Sequence, residues 1–357
     1  MTTKQSPTLY GIENSNRKPK DFWGKNQFNS SFPVSLACYM RDQGWTAQYL
    51  HVDENLDISI REIPFDEVFN SNKKNTELTF NFESKFDPYQ QYTTDDIKNI
   101  DLVVADGVIP IRPLEIKLTA VPDQATHNLE EVFWGPEIVV RPASTSYAAL
   151  GIFHNIHADL ELARSIIEPT AQKIKQWGNK YEISAHFPKL MRMLDNFQLT
   201  FHVKQQPFLM QIVWKTKGKQ PYLNDNAFDI FVWSDYALCR LFIKNSRKEL
   251  GNGDLNRFER STARFSRFLY EATTRGTVPL KSIYTEMAFD LQTDKELAAN
   301  GRITNKYLQS ERLLQPLVHK DHLFNIILNE GETLLSPERR LDQSVYIQAI
   351  IDGKIAP

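Results

Sequence analysis

The sequence predicts an α/β chain: a mixed β-sheet flanked by helices, with a helical C-terminal part. Three observations carry this. Two adjacent apolar runs, Leu102 to Ala105 and Val108 to Val121, are separated by Asp106-Gly107, a dipeptide suited to a tight hairpin. From Tyr147 to Trp177 the apolar positions Leu150, Ile152, Phe153, Ile156, Leu160, Leu162, Ile166 and Ile167 follow a helical spacing. Further strand-like runs surround these segments, and from residue 254 onward the pattern is mainly helical.

In chain order, residues 1–25 are polar and form an N-terminal arm, residues 26–250 a core with loops, and residues 251–357 a mainly helical C-terminal region. Ser31 is placed to cap a first helix with Pro33 just inside it, and Gly44 closes that helix. Trp45 to Ile60 reads as strand, and Leu78 to Phe82 as a short strand among polar loops. Gly135 to Pro142 reads as a third core strand, followed by a loop, Ala143 to Ser146. The helical stretch after it is expected to break at Glu168-Pro169, where proline removes a backbone donor. Residues 198–243 look like strands, with Leu199 to Val203, Phe208 to Trp214 and Phe228 to Val232 as the runs; later turns fall at Gly276, near Gly301 and at Gly331.

A chain of 357 residues is long enough for one large or two modest domains. Lys+Arg of 42 against Asp+Glu of 44 leaves a net charge of −2, so any surface for a polyanion must concentrate its positive charge locally. The two cysteines, Cys38 and Cys239, lie far apart in apolar surroundings, which favours free thiols in a reducing compartment over a disulfide. No run approaches the ~18 apolar residues of a membrane helix, and no signal-peptide core is present. A soluble cytoplasmic protein with no membrane partner is expected.

The chemistry concentrates on the central hairpin. In its second run Leu114, Ile116 and Leu118 alternate with Glu115, Lys117 and Thr119, so Glu115 and Lys117 share one strand face while the apolar residues enter the core. Asp101 opens the first run and returns near Glu115 when the hairpin folds; Asp106 is the rival first carboxylate, though its Gly107 neighbour favours a turn role. Two carboxylates and a lysine at one end of a buried sheet suit a hard divalent cation such as Mg2+. Charged alternation on an exposed strand is the plainer reading, against which stands the apolar character of the run. This pattern resembles the PD-(D/E)xK nuclease superfamily, met here by Asp101 and by Glu115-Ile116-Lys117, with Ile100 in place of the motif's proline. The resemblance implies a restriction-endonuclease-like core.

Several residues are candidates for DNA contact. Arg257, Arg260, Arg264 and Arg267 fall within an arc of roughly 80° on one helix, a stripe able to track phosphates or, equally, a salt-bridged helix face. Arg141 suits a phosphate or a guanine edge, or a salt bridge to Glu137 or Asp123. Ser144 and Thr145 in the following loop, Lys204 with Gln205 and Gln206, and Lys215, Lys217 and Lys219 are loop residues that could reach a groove or simply be solvated. His154 and His157 are spaced as a helical pair, a spacing more often a packing detail than a metal site.

Three blocks carry a closer resemblance: W-G-K-N-Q-F-N-S-S-F-P from Trp23, the hairpin D-L-V-V-A-D-G and L-E-I-K-L-T, and N-R-F-E-R-S-T-A-R-F-S-R-F from Asn256. Together they look like the HindVP-type family of type II restriction endonucleases. The resemblance implies a homodimeric, Mg2+-dependent endonuclease that cleaves double-stranded DNA within a short palindrome, GRCGYC, leaving 5′-phosphates. In this reading Asp101 and Glu115 ligate Mg2+, Lys117 completes the catalytic set, and a cognate DNA methyltransferase works in the same prokaryotic cell. Many relatives in the superfamily add an acidic residue on the first helix; here Gln27 or Asp42 would have to serve, which leaves the metal count open. A repair or processing nuclease of the same fold, a DNA-binding protein with a relic nuclease fold, and an unrelated α/β enzyme are the alternatives. The absence of G-x-G-x-x-G, P-loop and G-x-S-x-G motifs weakens the last.

Overall fold

A computed structural model describes residues 8–9, 12–13, 33–34, 37–38, 40–41, 44–71, 78–117, 142–212, 215–217, 220–222, 230–246 and 255–289. Its centre is a seven-stranded mixed sheet. After a two-residue hairpin, β1 (Thr8–Leu9) with β2 (Ile12–Glu13), the sheet strands are β3 (Thr46–Val52), β4 (Ile58–Pro64), β5 (Leu78–Ser84), β6 (Ile100–Asp106), β7 (Ile109–Lys117), β8 (Pro207–Ile212) and, beyond a small hairpin of β9 (Lys215–Lys217) and β10 (Gln220–Tyr222), β11 (Ile230–Ser234). Their order across the sheet is β4-β3-β11-β8-β7-β6-β5. The β7–β8 and β3–β11 pairs are parallel and the remaining neighbours antiparallel.

The sheet is covered on both faces. On one, Val103, Leu209, Phe231 and Trp233 join a large cluster with the helices α2 (Pro142–Ile156), α3 (Leu160–Ala171), α4 (Lys180–Phe201), α5 (Asp235–Ser246), α6 (Arg257–Arg275) and α7 (Leu280–Glu286). On the other, Leu102, Val104, Leu114, Ile116, Met210 and Val232 are buried, and the short helix α1 (Phe65–Phe69) sets Phe69 edge-on against Phe80 of β5 at 5.3 Å. The helical layer is organised around α6, which packs against α2, α3, α4 and α5. Asn256 caps α6 in a reciprocal box with Glu259: its side chain accepts the Glu259 N–H at 2.9 Å and its own N–H reaches Glu259 Oε2 at 2.7 Å. Gly276 ends α6 at φ 74°, a conformation that only glycine adopts without steric cost.

Four expectations are corrected. Ala143 to Ser146 is the first turn of α2, because Pro142 at the helix start has no N–H to satisfy and a φ already set for a helix. The helical stretch breaks at the 3₁₀ turn His157–Asp159, whereas Pro169 sits within the last turn of α3, where its missing N–H costs only one bond near a fraying end. Leu199 to Phe201 ends α4 and His202–Lys204 is a 3₁₀ turn, so this run is not a strand. Its period-two look is outweighed by Leu190, Leu194, Phe197 and Phe201, which bury one stripe of a 22-residue helix. Asp235–Ser246, expected as strand, is α5. The proposed strand Gly135 to Arg141 and the turns near Gly301 and Gly331 lie outside the described residues.

Candidate active site

The hairpin that carries the candidate carboxylates is β6–β7. Asp106 pairs with Ile109, so the turn is the two-residue loop Gly107-Val108, with Gly107 at φ 57°. Farther from the turn Leu102 pairs with Leu114, and the next step of the ladder sets Asp101 opposite Glu115. Asp106 is at the other end of β6, roughly 17 Å away by strand rise. Asp101 is tied into the ladder, its Oδ2 accepting the Ile116 N–H at 3.0 Å.

Glu115 is buried at 7% exposure, on the sheet face that looks toward the helical layer. Parity also places Lys117 on that face; its side chain lies outside the described residues. The neighbouring strand is parallel here and sets Leu209 beside Glu115 and Gln211 beside Lys117. Gln211 is fully buried and accepts the Trp233 Nε1–H at 3.1 Å. Above Glu115 lies the first turn of α2. Ser144, 6% exposed, donates its hydroxyl to Glu115 Oε1 at 3.0 Å, and Thr145 is buried beside it. One turn on, the Tyr147 hydroxyl donates to the Lys98 carbonyl at 2.8 Å and accepts the Phe86 N–H at 3.1 Å. Burial drives the Tyr147 phenol up to about 12, with Asp87 and Glu115 adding to the shift, so it acts as a neutral strut. The start of α2 therefore holds both the strand that bears Glu115 and the approach to the strand that bears Asp101.

Among the described residues no three His, Cys, Asp or Glu side chains gather into a metal cluster. Asp101 and Glu115 supply two carboxylates, an all-oxygen set that fits a hard cation completing its shell with water and phosphate. His154 accepts or donates a 2.8 Å bond with Tyr92 and stacks on His157, in keeping with a packing role for that pair.

The expected DNA-contacting residues fare differently. Ser144 and Thr145 are buried against the sheet and do not form an exposed loop. The arginine helix is α6, and it lies inside the helical layer. Arg264 is 2% exposed, donates to the Met287 carbonyl through Nε at 3.0 Å and through Nη2, and lies over the Phe289 ring. Arg267 pairs with Glu271 at 2.7 Å and lies over Trp177. Arg260 donates to the Leu255 carbonyl. The described members of the stripe are thus engaged within the fold, because α6 is enclosed by four helices and its polar face is buried too, Ser261, Thr262, Ser266 and Glu271 included. Lys204 is ion-paired with Asp159. Gln205 bridges both backbone groups of Val52 at 2.7 Å, and Gln206 accepts from Arg112 at 2.9 Å, so both are joints of the sheet. Arg141 and the side chains of Arg257, Lys215, Lys217 and Lys219 lie outside the described residues, as do Gln27 and Asp42.

One signal was available for the arginines: Arg267, Glu271 and Arg275 stand four apart, and the buried Glu271 carboxylate takes both guanidinium groups, at 2.7 and 3.1 Å. No one-dimensional signal links Ser144 to Glu115. Neither Cys38 nor Cys239 forms a disulfide, and Cys239 is buried. Among the described residues no helix is long and apolar enough to cross a membrane.

Comparison with known proteins places the chain in a family. The profile of the HindVP restriction endonuclease matches residues 23–351. The type II restriction enzyme HgiDI of Herpetosiphon aurantiacus is 35% identical over 343 residues, covering 95% of both chains. The probable type II restriction enzyme HindVP of Haemophilus influenzae is 35% identical over 342 residues, covering 95% of this chain and 93% of its own. No solved structure matches. A family match across nearly the whole length, two relatives at 35% identity and a mixed sheet flanked by helices converge: the chain belongs to the HindVP restriction endonuclease family, a family of type II site-specific deoxyribonucleases.

Proposed function

We propose that this chain is a Mg2+-dependent type II restriction endonuclease that makes double-strand cuts in a short palindromic DNA site and leaves 5′-phosphates. The observation that carries the reading is the placement of Asp101 opposite Glu115 on one hairpin, with Lys117 two residues further along the same strand face. Asp101 and Glu115, with the Ile116 carbonyl between Glu115 and Lys117, would hold the cation. When bound, Mg2+ polarises the scissile phosphate and acidifies water in its shell. Lys117 orients the attacking water and offsets charge on the phosphate as the P–O3′ bond breaks and the 3′-oxygen takes up a proton.

The buried sheet keeps both carboxylates in fixed geometry, so little reorganisation accompanies reaction. GRCGYC is the site this reading assigns, through membership of the family. A homodimer reads such a palindrome with two equivalent halves. Arg141 and Arg257, with Lys215, Lys217 and Lys219, are candidates for phosphate contact, and a methyltransferase of the same specificity protects the host DNA.

The test is incubation of the purified chain with unmethylated phage DNA in Mg2+ or in EDTA, beside Lys117→Ala. A discrete fragment ladder that needs Mg2+ and disappears in the variant is expected, and the fragment ends report the site. A smear would instead indicate a processing nuclease. DNA that stays whole but is retarded in a gel would indicate a binding protein.

A further inference from the structure

We infer that Ser144 is a positioning residue that acts through Glu115, holding that carboxylate in the rotamer that receives the cation; the inference rests on the nuclease reading above. Its hydroxyl donates to Glu115 Oε1 at 3.0 Å, and both residues are nine-tenths buried. A glutamate has three side-chain torsions, and a buried one that must present an oxygen to a ligand loses affinity whenever it leaves the correct rotamer. Asp101 needs no such help, because its shorter side chain is already fixed by the Ile116 N–H. Glu115 receives its fixing bond from a different layer of the fold.

That layer is rigid at the point of contact. Ser146 closes the first turn of α2 by donating to the Ala143 carbonyl at 2.8 Å. Tyr147 ties the next turn to Lys98 and Phe86, and α2 packs on α5 and α6. A hydroxyl on such a support can hold a carboxylate in one orientation. A helix-capping role would direct Oγ to a backbone N–H of its own helix, whereas here it is spent on a side chain across the interface. Partners that orient a metal-holding carboxylate in this way typically change metal affinity by ~10–100-fold when removed.

The experiment compares the full-length wild type with Ser144→Ala, Ser144→Thr, Glu115→Gln and the Ser144→Ala/Glu115→Gln double variant. Mn2+ binding is read from the EPR signal of the free ion, and the Mg2+ concentration for half-maximal cleavage of phage DNA is the second readout. Ser144→Ala is expected to raise both half-saturation values by about tenfold or more, with the maximal rate at saturating Mg2+ falling less and the unfolding midpoint lowered only modestly, as one unmade hydrogen bond requires. Ser144→Thr, which keeps the hydroxyl, is expected to recover most of the affinity. In the Glu115→Gln background the Ser144→Ala change should add little further loss, since both act through one carboxylate. Unchanged Mn2+ and Mg2+ dependence in Ser144→Ala, or an equal loss in the Glu115→Gln background, overturns the inference while leaving the nuclease assignment standing. A wild type that neither binds Mn2+ nor cleaves overturns the nuclease reading, and the Ser144 role with it.

Discussion

The Asp101 carboxylate accepts the backbone N–H of Ile116 at 3.0 Å, so the residue between Glu115 and Lys117 is pinned by the carboxylate diagonal to it. Asp101→Asn keeps an oxygen for that N–H and removes the charge, whereas Asp101→Ala removes both. Both variants are expected to lose cleavage rate by roughly two to three orders of magnitude. Only the alanine variant should also lose about 1 kcal/mol of stability, from the unmade bond. Urea titrations beside single-turnover cleavage separate the two effects; equal stability losses in both variants would refute a structural share for the hydrogen bond.

Arg264 tests whether α6 is a core helix or a DNA surface. Its guanidinium serves the Met287 carbonyl from a site 2% exposed. Arg264→Ala is expected to cost about 1–3 kcal/mol through the orphaned carbonyl and the missing packing of its stem. The salt dependence of DNA binding should keep its slope, because an arginine that neutralises a phosphate would, on removal, lower the slope by about one ion. A stable variant with a shallower slope would restore the phosphate-tracking reading.

Asp235 gives the fold a pH signature. Its carboxyl is driven from an ordinary 3.8 up to about 7 by complete burial, against the opposing pull of the Gln206 and Tyr236 N–H groups and of Arg112. The native state therefore favours the protonated form. The stability this contributes is fully present below about pH 4 and is lost as pH rises through 7, to a total on the order of 4 kcal/mol. Asp235→Asn retains an oxygen for both backbone donors and cannot titrate. Denaturation between pH 4 and 8 should show a falling component in the wild type that flattens in the variant; parallel profiles would place the titration elsewhere.

Gly178 lies between α3 and α4, and a Cβ built on it would come within 2.2 Å of the Glu286 carbonyl at the end of α7. Because the obstacle is backbone, Gly178→Ala is expected to destabilise by about 1–3 kcal/mol, as overpacking does. Differential scanning calorimetry of the full chain would read it as a lowered midpoint, and an unchanged midpoint would mean that α7 moves freely.

What could be read without coordinates follows a physical division. The β6–β7 hairpin was legible because strand parity is a local property: Glu115 and Lys117 share a face in any strand. The helices α2 and α3 were legible from their stripes, though not their joint, since Pro169 was assigned more disruption than a terminal turn suffers. That the hairpin is interior was legible from its apolar run, but what covers Glu115 was not: only the tertiary packing of α2 sets Ser144 against it. The internal partners of Arg264 and Arg267 were not legible for the same reason, since charge implies solvent until carbonyls, an aromatic ring or a glutamate are found beside it.

The turn and the candidate site on this hairpin are out of step by one residue. Ala105 pairs with Pro110 but Val104 with Arg112, so Ile111 is an extra residue on β7, and Asn70 at the end of α1 grips its carbonyl at 3.1 Å. A regular ladder grown from the Gly107-Val108 loop would pair Asp101 with Leu114 and turn Glu115 to the opposite face. Two residues an even number of positions apart can never be partners across an unbroken hairpin with a two-residue loop. The spacing of Asp101 and Glu115 is thus a counting constraint on inheritance. Relatives that lengthen or shorten this segment by one residue must gain or lose an irregularity with it.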